Sequence, residues 1–360
     1  MGRKSGVAKK IRDLQPKALE THCYGHSLNL SVKDVTSQSK ILNDTMGTVS
    51  EICILVKYSP KRERMLGEIQ SNIEGIEDTN YTQGVITIDK LCPTRWTVKA
   101  NCFKKVLDLY DQLWELFQSC LAEGKLVTDV KSRIIGCQSQ MTNFKFFYGL
   151  QLGYTLYALT DNLSKAMQSK KMSAISSQRL ANLTIPTIEK MRSENSASLF
   201  FESVVQKAGK HHHVEGPSVS RKRKTPNYSI LQYVHGYQSS SKDHQPSTPE
   251  QQYRVIYYEA INLFVCSLKE RFHQPTYQVY VSLENILICG IHDKEIRIED
   301  KNILETYNDD LDVSALSCEL QILRQMCKDT HIECFHDILS ILSTNTDEKR
   351  LIPNVVFLCL

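Results

Sequence analysis

Several clusters in the sequence combine residue types and spacings that can do chemistry. His22-Cys23-Tyr24-Gly25-His26 sets Cys and His three apart and two His four apart, so on a helix all three could face one cation. Two or three ligands do not close a zinc site, and with no completing ligand the spacing fits a helical structural or site-lining role better. His331-Ile332-Glu333-Cys334-Phe335-His336 opens like a zinc deaminase's His-x-Glu. The paired Pro-Cys-x-x-Cys that would supply the other ligands is absent, so Cys334 reads as a core thiol. Glu299-Asp300 and Asp309-Asp310-Asp312 gather carboxylates as a two-metal nuclease or a calcium loop would. The calcium loop's Gly and terminal Glu are missing at their offsets, which leaves solvated surface acids as the simpler reading. His211-His212-His213 reads as a solvated loop tract. Arg221-Lys222-Arg223-Lys224, in a polar Pro-bearing loop, reads as a nuclear import signal or a phosphate contact, with a plain solvated loop as the alternative. No Ser-His-Asp arrangement or phosphate-cradling Gly loop is present. No catalytic residue, metal or cofactor is therefore expected.

The elements that must position these clusters read as helices. From Trp96 to Leu121, Phe103, Val106, Leu107, Tyr110, Leu113, Trp114 and Phe117 recur at three and four, and Gly124 ends the run. A second long pattern follows Thr128, a candidate N-cap, and continues through Leu163 as one or two helices with a bend near Gly149. Gly149-x-x-x-Gly153 reads as a close-packing motif. Leu180 to Met191 and Leu199 to Val205 are further helical pieces, with Ser196 as a cap for the second. Thr248-Pro249-Glu250-Gln251 is the sharpest helix start, ahead of Tyr253, Tyr257, Ala260, Ile261, Phe264 and Leu268. Pro275 separates that helix from one over Tyr277 to Cys289, and Leu316 to Met326 and Phe335 to Leu342 are shorter. Val85 to Ile88 and Val355 to Leu358 are compact β-branched or apolar runs, too brief to define a sheet. Lys207 to Ser247 has few apolar residues to offset the entropy of ordering and reads as a flexible linker.

Composition bounds the function. At 360 residues and 41% hydrophobic, the chain can bury a sizeable core. Lys and Arg number 44 against 40 Asp and Glu, so any nucleic-acid contact must come from local patches. Twelve Cys without a C-x-x-C pair argue against a disulfide framework and for free thiols in a reducing intracellular compartment, which the Arg221 to Lys224 run narrows to the nucleus, or otherwise the cytoplasm. The basic start, Met1 to Leu14, lacks the apolar run of a secretory signal, and the most apolar stretch, Phe146 to Leu159, is short of the roughly 20 residues of a membrane span.

Thr21-His22-Cys23-Tyr24-Gly25-His26-Ser27-Leu28-Asn29-Leu30 and Leu91-Cys92-Pro93-Thr94-Arg95-Trp96 resemble, in order and spacing, the two signature blocks of the helical insertion domain of hAT-type transposases. Ser132 to Gly136, Asp161 to Lys165, Tyr257 to Ala260 and Lys269 to Pro275 resemble transposon-derived members of that superfamily, so the likeness spans nearly the whole chain. The resemblance implies a mainly α protein: the large helical insertion domain of an interrupted ribonuclease H-like fold, with only remnants of the sheet core. On this reading residues 1–20 are the core remnant, 21–206 and 248–360 the two parts of the insertion, and 207–247 the linker. It also implies that Cys23 and His26 lie near the active site and that Trp96, beside Arg95, stacks on an extruded base. For Trp96, a core anchor at a helix start is the competing role. The family's catalytic Asp and Glu would lie outside the matching segments. The expected function is a catalytically inactive nuclear module that binds DNA or nuclear proteins, as a monomer or a homo-oligomer. The alternative is an internal fragment of an active DNA-cutting transposase.

Overall fold

The computed structural model describes residues 6–74, 86–89, 98–169, 172–219, 248–345 and 347–359. Apart from a 3-10 turn at Glu348–Leu351, every regular element among them is an α-helix, and no strand occurs. In chain order the helices are α1 (Val7–Leu14), α2 (Tyr24–Gln38), α3 (Lys40–Lys57), α4 (Pro60–Glu74), α5 (Lys99–Asp108), α6 (Tyr110–Ala122), α7 (Thr128–Met141) and α8 (Phe144–Met167). They continue with α9 (Ala174–Lys190), α10 (Glu194–Ala208), α11 (Pro249–Phe272), α12 (Pro275–Ile291), α13 (Ile298–Thr306), α14 (Val313–Met326), α15 (Phe335–Thr344) and α16 (Pro353–Cys359). None is long and apolar enough to cross a membrane.

The chain divides into two compact units: a first from Met1–Asp34, Leu159–Ile188 and Phe264–Leu360, and a second from Val35–Ala158 and Glu189–Leu263. Both are discontinuous in sequence.

In the second unit, α3 packs on α4, α5 and α7, and α6 packs on the same three. The buried residues are the periodic set expected of α5 and α6, among them Phe103, Val106, Tyr110, Leu113 and Phe117. That pattern nevertheless breaks at Leu109, which caps α5 through its N–H to the Lys105 carbonyl while its own carbonyl accepts from Leu113. Gly124 follows at φ +67°, the left-handed conformation expected of a helix terminator. The bend expected near Gly149 lies instead at Thr142 and Asn143, where Asn143 Oδ1 accepts from the Lys145 N–H at 2.9 Å. Gly149 and Gly153 do let α8 pack closely. A Cβ would come 2.1 Å from Thr45 Oγ1 at Gly149 and 2.4 Å from Phe103 Cε1 at Gly153. Val85 lies outside the described residues, and Ile86 to Asp89 forms no regular element. The buried Gln70 side chain takes a strand's place, accepting from the Ile86 N–H at 2.8 Å and donating to its carbonyl at 3.1 Å.

The first unit contains a cluster of Ile286, Leu287, Leu323, Ile338, Ile352 and Val355, with α12 against α13, α14 and α15, and α14 against α16. Val355 to Leu358 is therefore helical. Pro353 opens α16, and the buried Glu319 carboxylate accepts from the Val355 N–H at 3.0 Å and the Asn354 amide at 2.6 Å. Glu284 does the same for α9, accepting from Ala174 and Ile175 N–H at 2.7 and 3.0 Å. A carboxylate at a helix N-terminus satisfies orphan donors and meets the positive end of the dipole.

Candidate functional site

The block Thr21–Leu30 folds into a two-sided corner of the first unit. Cys23 stands just before α2. Its sulfur accepts the His26 N–H at 3.4 Å and its carbonyl accepts from Ser27 at 3.0 Å, so the thiol acts as a weak N-cap. The inward side is built on Tyr277 at the start of α12. Tyr24 stacks on it with ring centroids 4.3 Å apart and on Phe272 at 6.0 Å. The Tyr277 hydroxyl donates to the His22 carbonyl at 2.8 Å, which leaves Ser27 Oγ to donate to it at 2.6 Å. Ser31 Oγ donates to the Ser267 carbonyl at 3.3 Å, and Arg271 pairs with Asp34 at 2.7 Å. Burial pushes the Tyr24 phenol far above its ordinary value, and its buried hydroxyl has no partner among the described residues.

The outward side holds the exposed Cys23 thiol and the half-buried His22 and His26, whose rings are 4.7 Å apart and tilted by 53°. Burial, then the neighbouring His26, holds His22 below the usual histidine value, so it is neutral near pH 7. The arrangement of all three on one helix face around a cation does not form. His22 and Cys23 precede α2, and the Cys23 sulfur is turned to a backbone N–H. Among the described residues, no group of three or more His, Cys, Asp or Glu side chains is placed to hold a metal ion.

The second block, Leu91 to Trp96, lies outside the described residues, Arg95 included, as do Arg221, Lys222, Arg223 and Lys224.

The remaining sequence candidates have structural roles. His331 Nε2 meets Glu333 Oε1 at 2.9 Å on the surface. Cys334 is not a core thiol: it caps α15, sharing the Asp337 carboxylate through its own N–H at 3.1 Å and its thiol at 3.3 Å. Asp300 is buried beside Arg297, Asp309 and Asp310 pair with Lys17, and Asp312 caps α14 through Ser314 and Ala315. These acids are helix caps and ion-pair partners, a role that carboxylates close in sequence do not distinguish from metal ligation.

The His tract differs from the reading as a solvated loop. α10 runs to Ala208, and the residues after it through Val219 are described, so the ordered chain extends past the expected start of the linker at Lys207. His213 stacks on Trp114 at 4.2 Å and 11° and on Tyr110 at 5.4 Å and 9°. His211 Nδ1 meets Asp111 Oδ1 at 2.8 Å, His213 Nδ1 lies 3.7 Å from the same atom, and the Glu215 N–H donates to the Thr142 carbonyl at 2.8 Å. The partners are about a hundred residues apart, which no local spacing rule connects. The one sequence signal was Tyr110 and Trp114 one turn apart on the same helix face.

Burial lowers the His213 pKa, with Asp111 opposing it and His211 and His212 adding to it. A histidine with a lowered folded value stabilises docking fully above its ordinary 6.5 and loses that contribution as pH falls below 6.5. Limited proteolysis within residues 209–219 is therefore expected to accelerate from about pH 7.5 to about pH 5.5 beyond the change seen at other sites, and His213→Phe to flatten the dependence. A wild-type rate with no such excess would contradict this.

No protein-family model matches the chain, and no solved structure matches it.

Proposed function

We propose that the chain is a catalytically inactive, transposase-derived nuclear protein of the hAT type, acting as a binding module for DNA or nuclear proteins. Its helical body would correspond to the insertion domain of an interrupted ribonuclease H-like fold. On the quoted segments its sequence resembles the transposon-derived zinc finger MYM-type protein 1. The observation that carries the reading is the division of Thr21–Leu30. Tyr24, Ser27 and Leu28 face the protein, while Cys23, His22 and His26 remain accessible at the surface. In this reading Cys23, His26, Arg95 and Trp96 contact nucleic acid, and Arg221, Lys222, Arg223 and Lys224 serve import or contact phosphates.

The test is fluorescence anisotropy with a labelled single-stranded oligonucleotide. Because stacking of a base contributes about 1–3 kcal/mol, Trp96→Ala should weaken binding roughly tenfold at an unchanged melting temperature. Unchanged affinity with a lowered melting temperature would make Trp96 a core anchor and remove it from the interface. Magnesium- or manganese-dependent nicking by the chain, abolished by replacing one of its own acidic residues, would overturn the assignment as inactive.

A further inference from the structure

Within the second unit a cavity of about 280 Å³ is lined from α5, α8, α10 and the turn after α10. Lys104, Lys207, Lys210 and His211 line it, and Asp108 is the one carboxylate among its described lining. Asp108 answers Lys104 at 2.7 Å. Lys207 is held at 3.2 Å by Oε1 of Gln151, a neutral and buried side chain, and His211 is fixed through Nδ1 by Asp111, which is not part of the lining. Among the described residues no carboxylate pairs with Lys207 or Lys210. Lys104, Lys207 and Lys210, from segments distant in sequence, thus line one concavity whose described lining holds a single acid.

Like charges gathered this way repel unless an anion joins them. The helix dipole explains Lys207, which sits in the last turn of α10 at the negative end of that dipole. It does not explain why Lys104, from α5, and Lys210, beyond the end of α10, line the same space. Ammonium groups act as compact point donors and suit a tetrahedral oxyanion that accepts from several directions. We infer that this cavity is a binding site for a phosphate group, taken either from a small phosphorylated molecule or from the end of a nucleic acid. The inference stands on the cavity alone and does not depend on the transposase-derived reading.

The experiment titrates inorganic phosphate into the full chain and follows side-chain and amide resonances of Lys207, Lys210 and His211. Saturable shifts at these residues are expected. Lys207→Gln with Lys210→Gln should weaken binding about tenfold or more, while the Arg pair at the same positions should keep most of it. Melting curves establish that both variants fold. Absence of saturable shifts in the wild-type chain, or undiminished binding in the folded Gln pair, would overturn the site. Two oligonucleotides of one sequence, with and without a 5′-phosphate, then separate the sources. Stronger competition by the phosphorylated one assigns the site to a nucleic-acid end, and equal competition assigns it to a small phosphate ester. Because Trp96 is not varied, failure here leaves the stacking test above to be decided by its own result.

Discussion

Replacing Tyr277 by Ala is expected to destabilise the first unit by about 3–5 kcal/mol, the range for deleting a large buried aromatic side chain. Tyr277 is almost fully buried, carries the Tyr24 ring on its face, and ties Ser27 and the His22 carbonyl to one hydroxyl. Tyr277→Phe keeps the ring and removes only the hydroxyl, so about 1–2 kcal/mol should be lost. Denaturant unfolding followed by circular dichroism measures both. The candidate site gives a second readout. His22 titrates below the ordinary 6.5 chiefly because it is buried, and loosening its backbone anchor should move its value back toward 6.5 in an NMR titration. A Tyr277→Phe protein with wild-type stability and an unmoved His22 would show that the hydroxyl does not hold the corner together.

Tyr110→Ala is expected to cost the second unit a similar amount, about 3–5 kcal/mol. The residue is fully buried, meets Phe147 edge-on at 5.2 Å, lies under His213, and donates its hydroxyl to the Met141 carbonyl at 2.7 Å at the end of α7. Burial pushes its phenol far above the ordinary value, so it remains a proton donor throughout the accessible pH range. Tyr110→Phe should cost only about 1 kcal/mol, the net worth of a typical hydrogen bond. The discriminating measurement is protease sensitivity within residues 209–219. It should rise sharply in Tyr110→Ala, which loses the ring on which His213 stacks, and little in Tyr110→Phe. Equal sensitivity in the two variants would mean that the segment is held by its other contacts, to Asp111, Trp114 and Thr142.

Some helix starts were legible in the capping chemistry, although Thr128, expected as a cap, is the first residue of α7 and Val127 precedes it without a side-chain cap. Thr248 accepts the Gln251 N–H at 3.3 Å as its place before Pro249 implies, and Pro275 opens α12. Where two neighbours of the same type compete, the position was missed: Ser193, not Ser196, caps α10, its hydroxyl oxygen accepting the Ser196 N–H. The breaks at Leu109 and at Thr142 and Asn143 were hidden because the apolar spacing continues across them. A one-residue interruption leaves the buried stripe nearly in phase. Val355 to Leu358 was ambiguous for a different reason. Four apolar residues fit either period, and what selects the helix is a carboxylate on α14.

The candidate site divides along the same line. The turn before α2 and its helical continuation follow from the residues of one short segment, whereas the ring that stacks on Tyr24 comes from Tyr277, about 250 residues away. By itself the sequence determined that the chain is helical, where most helices lie, and which glycines permit close approach. These depend on φ and ψ preferences and on contacts three or four residues apart. Only the tertiary structure decided that Cys334 is a cap, that His213 lies on Trp114, that Glu284 closes α9, and that three lysines share one cavity. Each of these joins groups whose neighbours are set by how helices pack. A local pattern records that a side chain is apolar, charged or able to cap, and packing determines what it meets.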